Sequence, residues 1–145
     1  MSSKPNVEAL VNPVNCVGIM GKGLALAFKR AYPGVFGEYA RACAAGDVVL
    51  GRVQIVETKA KRGPKLIVNF PTKNHWRDSS RLEDITSGVA DLVKQVRTRR
   101  VRSLAVPALG CGLGGLAWTS VRPIIEEAFA RLDDDVRVVL FGPKD

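Results

Sequence analysis

Three loops in this sequence have the composition of a ligand site. The first, Asn15-Cys16-Val17-Gly18-Ile19-Met20-Gly21-Lys22-Gly23, follows an apolar run and precedes a helical pattern. Glycines let a backbone approach a ligand closely, and the helix N-terminus behind them offers unpaired N–H groups to an anion. A phosphate is the natural guest. Lys22 is followed by Gly23, so this is not a Walker A element, which needs Gly-Lys-Ser/Thr. The second loop, Gly110-Cys111-Gly112-Leu113-Gly114-Gly115, satisfies G-x-G-x-x-G through Gly110, Gly112 and Gly115. A dinucleotide unit also needs an acidic residue about 20 residues onward, at the end of the next strand. Here that strand ends at Phe141, just before the last residue, Asp145. The loop therefore reads as a cradle for phosphate and ribose without the dinucleotide arrangement. In the third, Pro71-Thr72-Lys73-Asn74-His75-Trp76-Arg77, Lys73 stands at a strand end. Such a lysine is either a solvated charge or, where partial burial favours the neutral amine, a nucleophile. His75, the one histidine, can serve as acid or base or hold structure. Trp76 and Arg77 can stack on a base or pair with a phosphate, whereas Trp118 reads as core packing.

The elements that must position these loops alternate along the chain. Ala9 to Val14 reads as a buried strand, and Gly51–Lys59 and Lys65–Phe70 as a strand pair joined by the turn Lys61-Arg62-Gly63-Pro64. Ser103–Leu109 and Val136–Phe141 complete at least five strands. Leu82, Ile85, Val89, Leu92, Val93 and Val96 recur at helical spacing, opened by Ser80 and Glu83 as a capping box. Val121, Ile124, Ile125, Ala128, Phe129 and Leu132 mark another helix, with Pro123 expected in its first turn. Two shorter helices fill Lys22–Tyr32 and Val35–Ala45. The alternation predicts a mixed, largely parallel sheet covered on both faces, with ligands beyond the C-terminal strand ends.

Bulk properties set the class. With 145 residues, 46% hydrophobic and 25% charged, the chain supports one core and not two, so residues 1–145 are expected to form a single domain. No apolar run is long enough to span a bilayer, and the polar Met1–Asn6 segment lacks a secretory signature. A cytoplasmic location follows. Cys16, Cys43 and Cys111 are widely spaced and odd in number, predicting reduced thiols and no zinc site. No other metal site or cofactor is expected. The net charge of +8 favours polyanionic partners, but the clusters Lys59, Lys61, Arg62, Lys65 and Arg97, Arg99, Arg100, Arg102 also suit a solvated turn and a helix C-terminus.

The segments VNPVNCVGIMGKGLALAFKRAYPGV, NFPTKNHWRDSSRLEDI and VPALGCGLGGLAW, in this order and spacing, resemble the macrodomain family. The branch they resemble most is that of the bacterial antitoxins that reverse DNA ADP-ribosylation, with the terminal ADP-ribose protein glycohydrolases more distant. The resemblance covers about residues 7 to 143. It implies a three-layer α/β/α sandwich with a mixed central sheet that lacks the usual first strand, and hydrolytic removal of ADP-ribose from acidic protein side chains or DNA bases. The alternative is a reader that binds ADP-ribose without cleaving anything. It implies that Gly18, Met20, Gly21, Lys22 and Gly23, with Gly110, Cys111, Gly112, Leu113, Gly114 and Gly115, hold the pyrophosphate and distal ribose. Asn12, Asn15, Pro71 and Thr72 would complete the binding set. Lys73 matches the family's attacking lysine, and His75 is the second catalytic candidate.

Two departures stand out. The human-type enzymes carry an aspartate where Gly114 stands, so His75, another acid or water must replace it. Met1–Asn6 is too short for the usual adenine-facing step, so either adenine is held less specifically or the true start is absent. Charge and the His75-Trp76-Arg77 step point towards nucleic acid as acceptor, and the short N-terminus without a second domain towards a stand-alone, monomeric protein hydrolase.

Overall fold

A computed structural model describes residues 6–143. The elements alternate as the sequence predicts: β1 (Ala9–Asn15), α1 (Gly23–Ala31), α2 (Pro33–Ala44), β2 (Gln54–Glu57), β3 (Leu66–Lys73), α3 (Leu82–Arg99), β4 (Ser103–Val106), α4 (Trp118–Phe129) and β5 (Arg137–Leu140). One mixed sheet has the order β2-β3-β1-β4-β5. β3, β1, β4 and β5 run parallel, and β2 is antiparallel at the β3 edge. The expectation about a missing first strand concerns the segment before Ala9, whose Met1–Pro5 lie outside the described residues.

Strand alternation divides the side chains between two helical layers. Ala9 and Val11 of β1, Val68 and Phe70 of β3, and Leu104 and Val106 of β4 join Ile85, Val89, Leu92 and Val96 of α3 and Val121 and Ile125 of α4 in the largest core cluster. The other face carries Val14 with Met20 and Tyr39, and Ile67 with Phe28 and Val35, under α1 and α2. α3 lies close on the sheet because Gly88 has no side chain: a Cβ there would fall 2.4 Å from Phe70 Cζ.

Four local expectations are corrected. The capping box does not form: Arg81 is the N-cap of α3 without a side-chain cap bond, Glu83 pairs with Arg81 at 2.7 Å, and the Ser80 amide donates to the Gly114 carbonyl instead (2.9 Å). A tertiary contact outcompetes the local motif. α4 begins at Trp118, so Pro123 lies inside the helix and not in its first turn; the ring is exposed, leaving room for water at the carbonyl it deprives. β4 stops at Val106 because the chain passes through Pro107 into the second loop, and β2 is confined between Gly51 and Lys59, both at positive φ (87° and 57°).

Candidate functional site

The C-terminal ends of β1 and β3 meet at an irregularity. Val14 lies opposite Pro71, but Asn15 lies opposite Lys73, so Thr72 is the extra residue of a bulge. Pro71 has no N–H for the ladder, which is where such a slip is tolerated. The Thr72 hydroxyl donates to the Val14 carbonyl (3.4 Å), closing the gap. Lys73 is thereby set beside Asn15 at the rim of the sheet. It is half-buried, and no ion pair among the described residues involves it.

The first loop folds around the Asn15 side chain. Its amide donates to the Ile19 carbonyl (2.8 Å), and its oxygen accepts from the amides of Val17 (3.1 Å) and Ile19 (3.4 Å). From below, the Tyr39 hydroxyl lies 2.8 Å from that oxygen and 2.7 Å from the Asn15 carbonyl. Tyr39 is fully buried on α2, and burial pushes its phenol up, keeping it a donor. Asn15 is thus the loop's anchor, with most of its hydrogen-bonding capacity committed. Asn12 does not reach the surface at all. It is 0% exposed and donates to Asn69 Oδ1 (3.1 Å) and weakly to Met20 Sδ (4.0 Å), while Asn69 donates to Gln54 (3.0 Å). This polar row crosses three strands beneath the loop and seats the buried Met20 side chain. Asn12 and Met20 therefore support the site from inside.

The second loop is shaped by Gly110 (φ 75°) and Gly115 (φ 82°). The Leu116 amide returns to the Gly110 carbonyl (2.9 Å) and the Gly115 amide to the Gly112 carbonyl (3.1 Å). Gly112 is open, with nothing within 4 Å of a built Cβ, whereas a Cβ on buried Gly114 would fall 2.4 Å from Ser80 Oγ and 2.5 Å from the Gly110 carbonyl. Leu113 is 72% exposed at the tip. Cys111 packs against the main core, and burial pushes its thiol up.

Backbone bonds knit the three loops together. The Cys16 amide donates to the Asn74 carbonyl (2.8 Å), joining the first to the third, and the Ser80 amide to the Gly114 carbonyl joins the third to the second. In the third, His75 is held in a tight turn: its amide donates to Asp78 Oδ2 (3.0 Å), its carbonyl accepts from the Asp78 amide (3.0 Å), and its Nδ1 accepts from the Arg77 amide (3.1 Å). Its Nδ1 is thus engaged within the turn.

Both helices that follow the glycine loops start without a side-chain cap or an acidic residue in the first turn, α1 behind Lys22 and α4 behind Ala117. Two bare helix N-termini at one end of the sheet are suited to an anion with two phosphates. Gly21, Lys22, Gly23, Gly112 and Gly115 are exposed there, whereas Pro71 and Thr72 are buried as part of the strand. Two cavities of about 270 and 310 Å³ lie elsewhere, at Val96–Arg102 with Leu132 and at Tyr32–Val35 with Glu57–Ala60. The positions that sequence reasoning missed are Tyr39 and Ser80. Both act through tertiary bonds to a loop, which no local spacing encodes. Among the described residues no cluster of His, Cys, Asp or Glu is arranged to hold a metal, and no helix is long and apolar enough to cross a membrane.

Known proteins share this fold. The macro domain family model matches residues 11–125. A Mycobacterium tuberculosis protein named DNA ADP-ribosyl glycohydrolase is 49% identical over 140 residues, which is 97% of this chain and 40% of that protein. The chain thus spans about two fifths of that relative's length. The solved macrodomain of Mycobacterium tuberculosis DarG superposes with a TM-score of 0.95 at 48% identity, covering 97% of this chain and 92% of the other. Thermosipho africanus DarTG, solved in complex with ADP-ribose, superposes with a TM-score of 0.86 at 33% identity over 95% of this chain and 38% of that one.

Proposed function

This chain belongs to the macro domain family, and on that premise we propose that it is a glycohydrolase that removes ADP-ribose from modified DNA bases. The observation that carries the proposal is the bulge that sets Lys73 beside Asn15, between two glycine loops tied to the same turn. The relative's name, DNA ADP-ribosyl glycohydrolase, and the ADP-ribose in the Thermosipho africanus structure support both ligand and acceptor.

In this reading the pyrophosphate lies against the free amides at the starts of α1 and α4, and the distal ribose lies over Lys73. The neutral amine of Lys73 attacks the anomeric carbon, a C–N bond forms, and the bond to the acceptor breaks with its electron pair leaving on the acceptor. Water then hydrolyses the lysyl adduct, releasing ADP-ribose and restoring the amine. In this reading the His75 Nε2 is the ring atom left to assist the departing group, since Nδ1 accepts from the Arg77 amide. Incubation with an ADP-ribosylated single-stranded oligonucleotide tests this. Release of free ADP-ribose and an unmodified strand is expected; binding of ADP-ribose without release makes the domain a reader.

A further inference from the structure

Trp76 is a large apolar side chain that the fold leaves 42% exposed. It lies three residues beyond Lys73 and is presented by the turn in which His75 and Asp78 bond each other through both backbone and carboxylate. That turn is tied to the first loop by the Cys16–Asn74 bond, so the indole cannot swing away with a floppy segment. The three planar groups of the turn are grouped: the His75 ring centroid lies 5.1 Å from that of Trp76 with 35° between planes, and the Arg77 guanidinium lies 4.7 Å from the indole centroid. With both neighbours against it, Trp76 still keeps 42% of its surface exposed. Arg77 carries a charge that no carboxylate among the described residues pairs.

We propose that the His75-Trp76-Arg77 turn is the acceptor platform, on which a nucleobase flanking the modified one stacks against Trp76 while Arg77 meets the adjoining phosphate. The inference rests on the glycohydrolase reading and adds the element that selects the acceptor. An exposed indole beside an unpaired guanidinium fits a π-faced, anionic polymer; an acidic side chain would use the charge and leave the indole wet. Stacking needs an unpaired base, so the platform takes single strands and not duplexes.

The test uses two substrates, an ADP-ribosylated single-stranded oligonucleotide and the corresponding ADP-ribosylated mononucleoside, with variants Trp76→Ala and Trp76→Phe. Trp76→Ala is expected to lose about tenfold in kcat/KM on the oligonucleotide, to keep the mononucleoside rate and free ADP-ribose affinity within about twofold, and Trp76→Phe to recover most of the loss. Equal loss on both substrates makes Trp76 a prop for Lys73 and overturns the proposal, as does no loss on either. Tryptophan fluorescence titrated with unmodified oligonucleotide separates the two claims. If the wild type releases no ADP-ribose yet shows quenching that Trp76→Phe lacks, the glycohydrolase reading fails and the platform stands. Normal release without quenching overturns the platform alone.

Discussion

Gly114 offers a sharp test of how the second loop is held. Its backbone is not in the left-handed region, so conformational freedom is not the reason for glycine; space is. A Cβ there would fall 2.4 Å from Ser80 Oγ, 2.5 Å from the Gly110 carbonyl oxygen and 3.0 Å from its carbon. Ser80 can rotate, but Gly110 cannot: its φ of 75° and the 2.9 Å bond from Leu116 fix it. Gly114→Ala therefore has to displace the loop, at the cost of overpacking a closed site, about 1–3 kcal/mol, or a melting point lower by roughly 3–10 °C. ADP-ribose affinity should fall with it, because the loop cannot yield without moving its amides. Removing Ser80 bulk in Gly114→Ala/Ser80→Gly should restore less than half of the loss, since the carbonyl contact remains. Gly112→Ala, with nothing within 4 Å, is the control and should be neutral within about 0.5 kcal/mol. Calorimetric melting and titration with ADP-ribose read both effects. If Gly114→Ala melts with the wild type and binds equally well, the Ser80–Gly114 clamp is not what shapes this loop. The same clash explains why an aspartate at this position, as in the human-type enzymes the sequence resembles, has no room here.

Lys73→Arg keeps the charge but cannot supply a neutral amine, so both it and Lys73→Ala should lose turnover while retaining ADP-ribose binding by calorimetry; full activity in Lys73→Ala would refute the covalent route. Gly112→Glu should abolish ADP-ribose binding with an unchanged melting point, because it adds bulk and negative charge at an open position beside the proposed pyrophosphate site. Burial, with smaller contributions from Cys43 and Asp84, pushes the Cys16 thiol from 9.0 up to about 11. The fold favours the neutral thiol, so this contribution to stability is whole below pH 9.0 and lost as pH rises through about 11; iodoacetamide labelling of Cys16 at pH 8 should be far slower than that of a free thiol and should climb steeply above pH 10.

Much of this was legible because the chemistry sits at boundaries the sequence marks. Apolar runs that end at Val14, Phe70 and Leu109 are followed by glycine or turn residues, so the strands and the loops at their C-terminal ends could be read together. What failed was the direction of individual groups. Asn12 shares a face with Leu10 and Val14 by strand alternation, and that parity, not the N-x-x-N spacing, decides that it faces inward. Ser80 matched a helix cap in sequence, but its amide is worth more to the Gly114 carbonyl, a contact 34 positions away that local propensity cannot weigh. His75 reads as an acid or base by type; only the turn shows that its Nδ1 is already taken by the Arg77 amide. The bulge at Thr72 is the clearest case, since Pro71 hinted at a broken ladder but only pairing with β1 shows that it carries Lys73 into register with Asn15.

The architecture also separates binding from reaction. In the proposed reading the diphosphate is met by main-chain amides at two uncapped helix starts, groups that every residue type but proline supplies, so sequence constrains this half of the site mainly through glycines and through the buried bonds that hold the loops: Tyr39 to Asn15, Asn12 to Asn69, Ser80 to Gly114. With the anion already served by backbone, the basic side chains at the rim are not needed for it. No ion pair among the described residues involves Lys73. Arg77 and Trp76 are exposed on the adjoining turn, where the proposed acceptor would leave. In that reading one end of the sheet presents backbone to the part of the substrate that never varies, and a short side-chain turn to the part that defines what was modified.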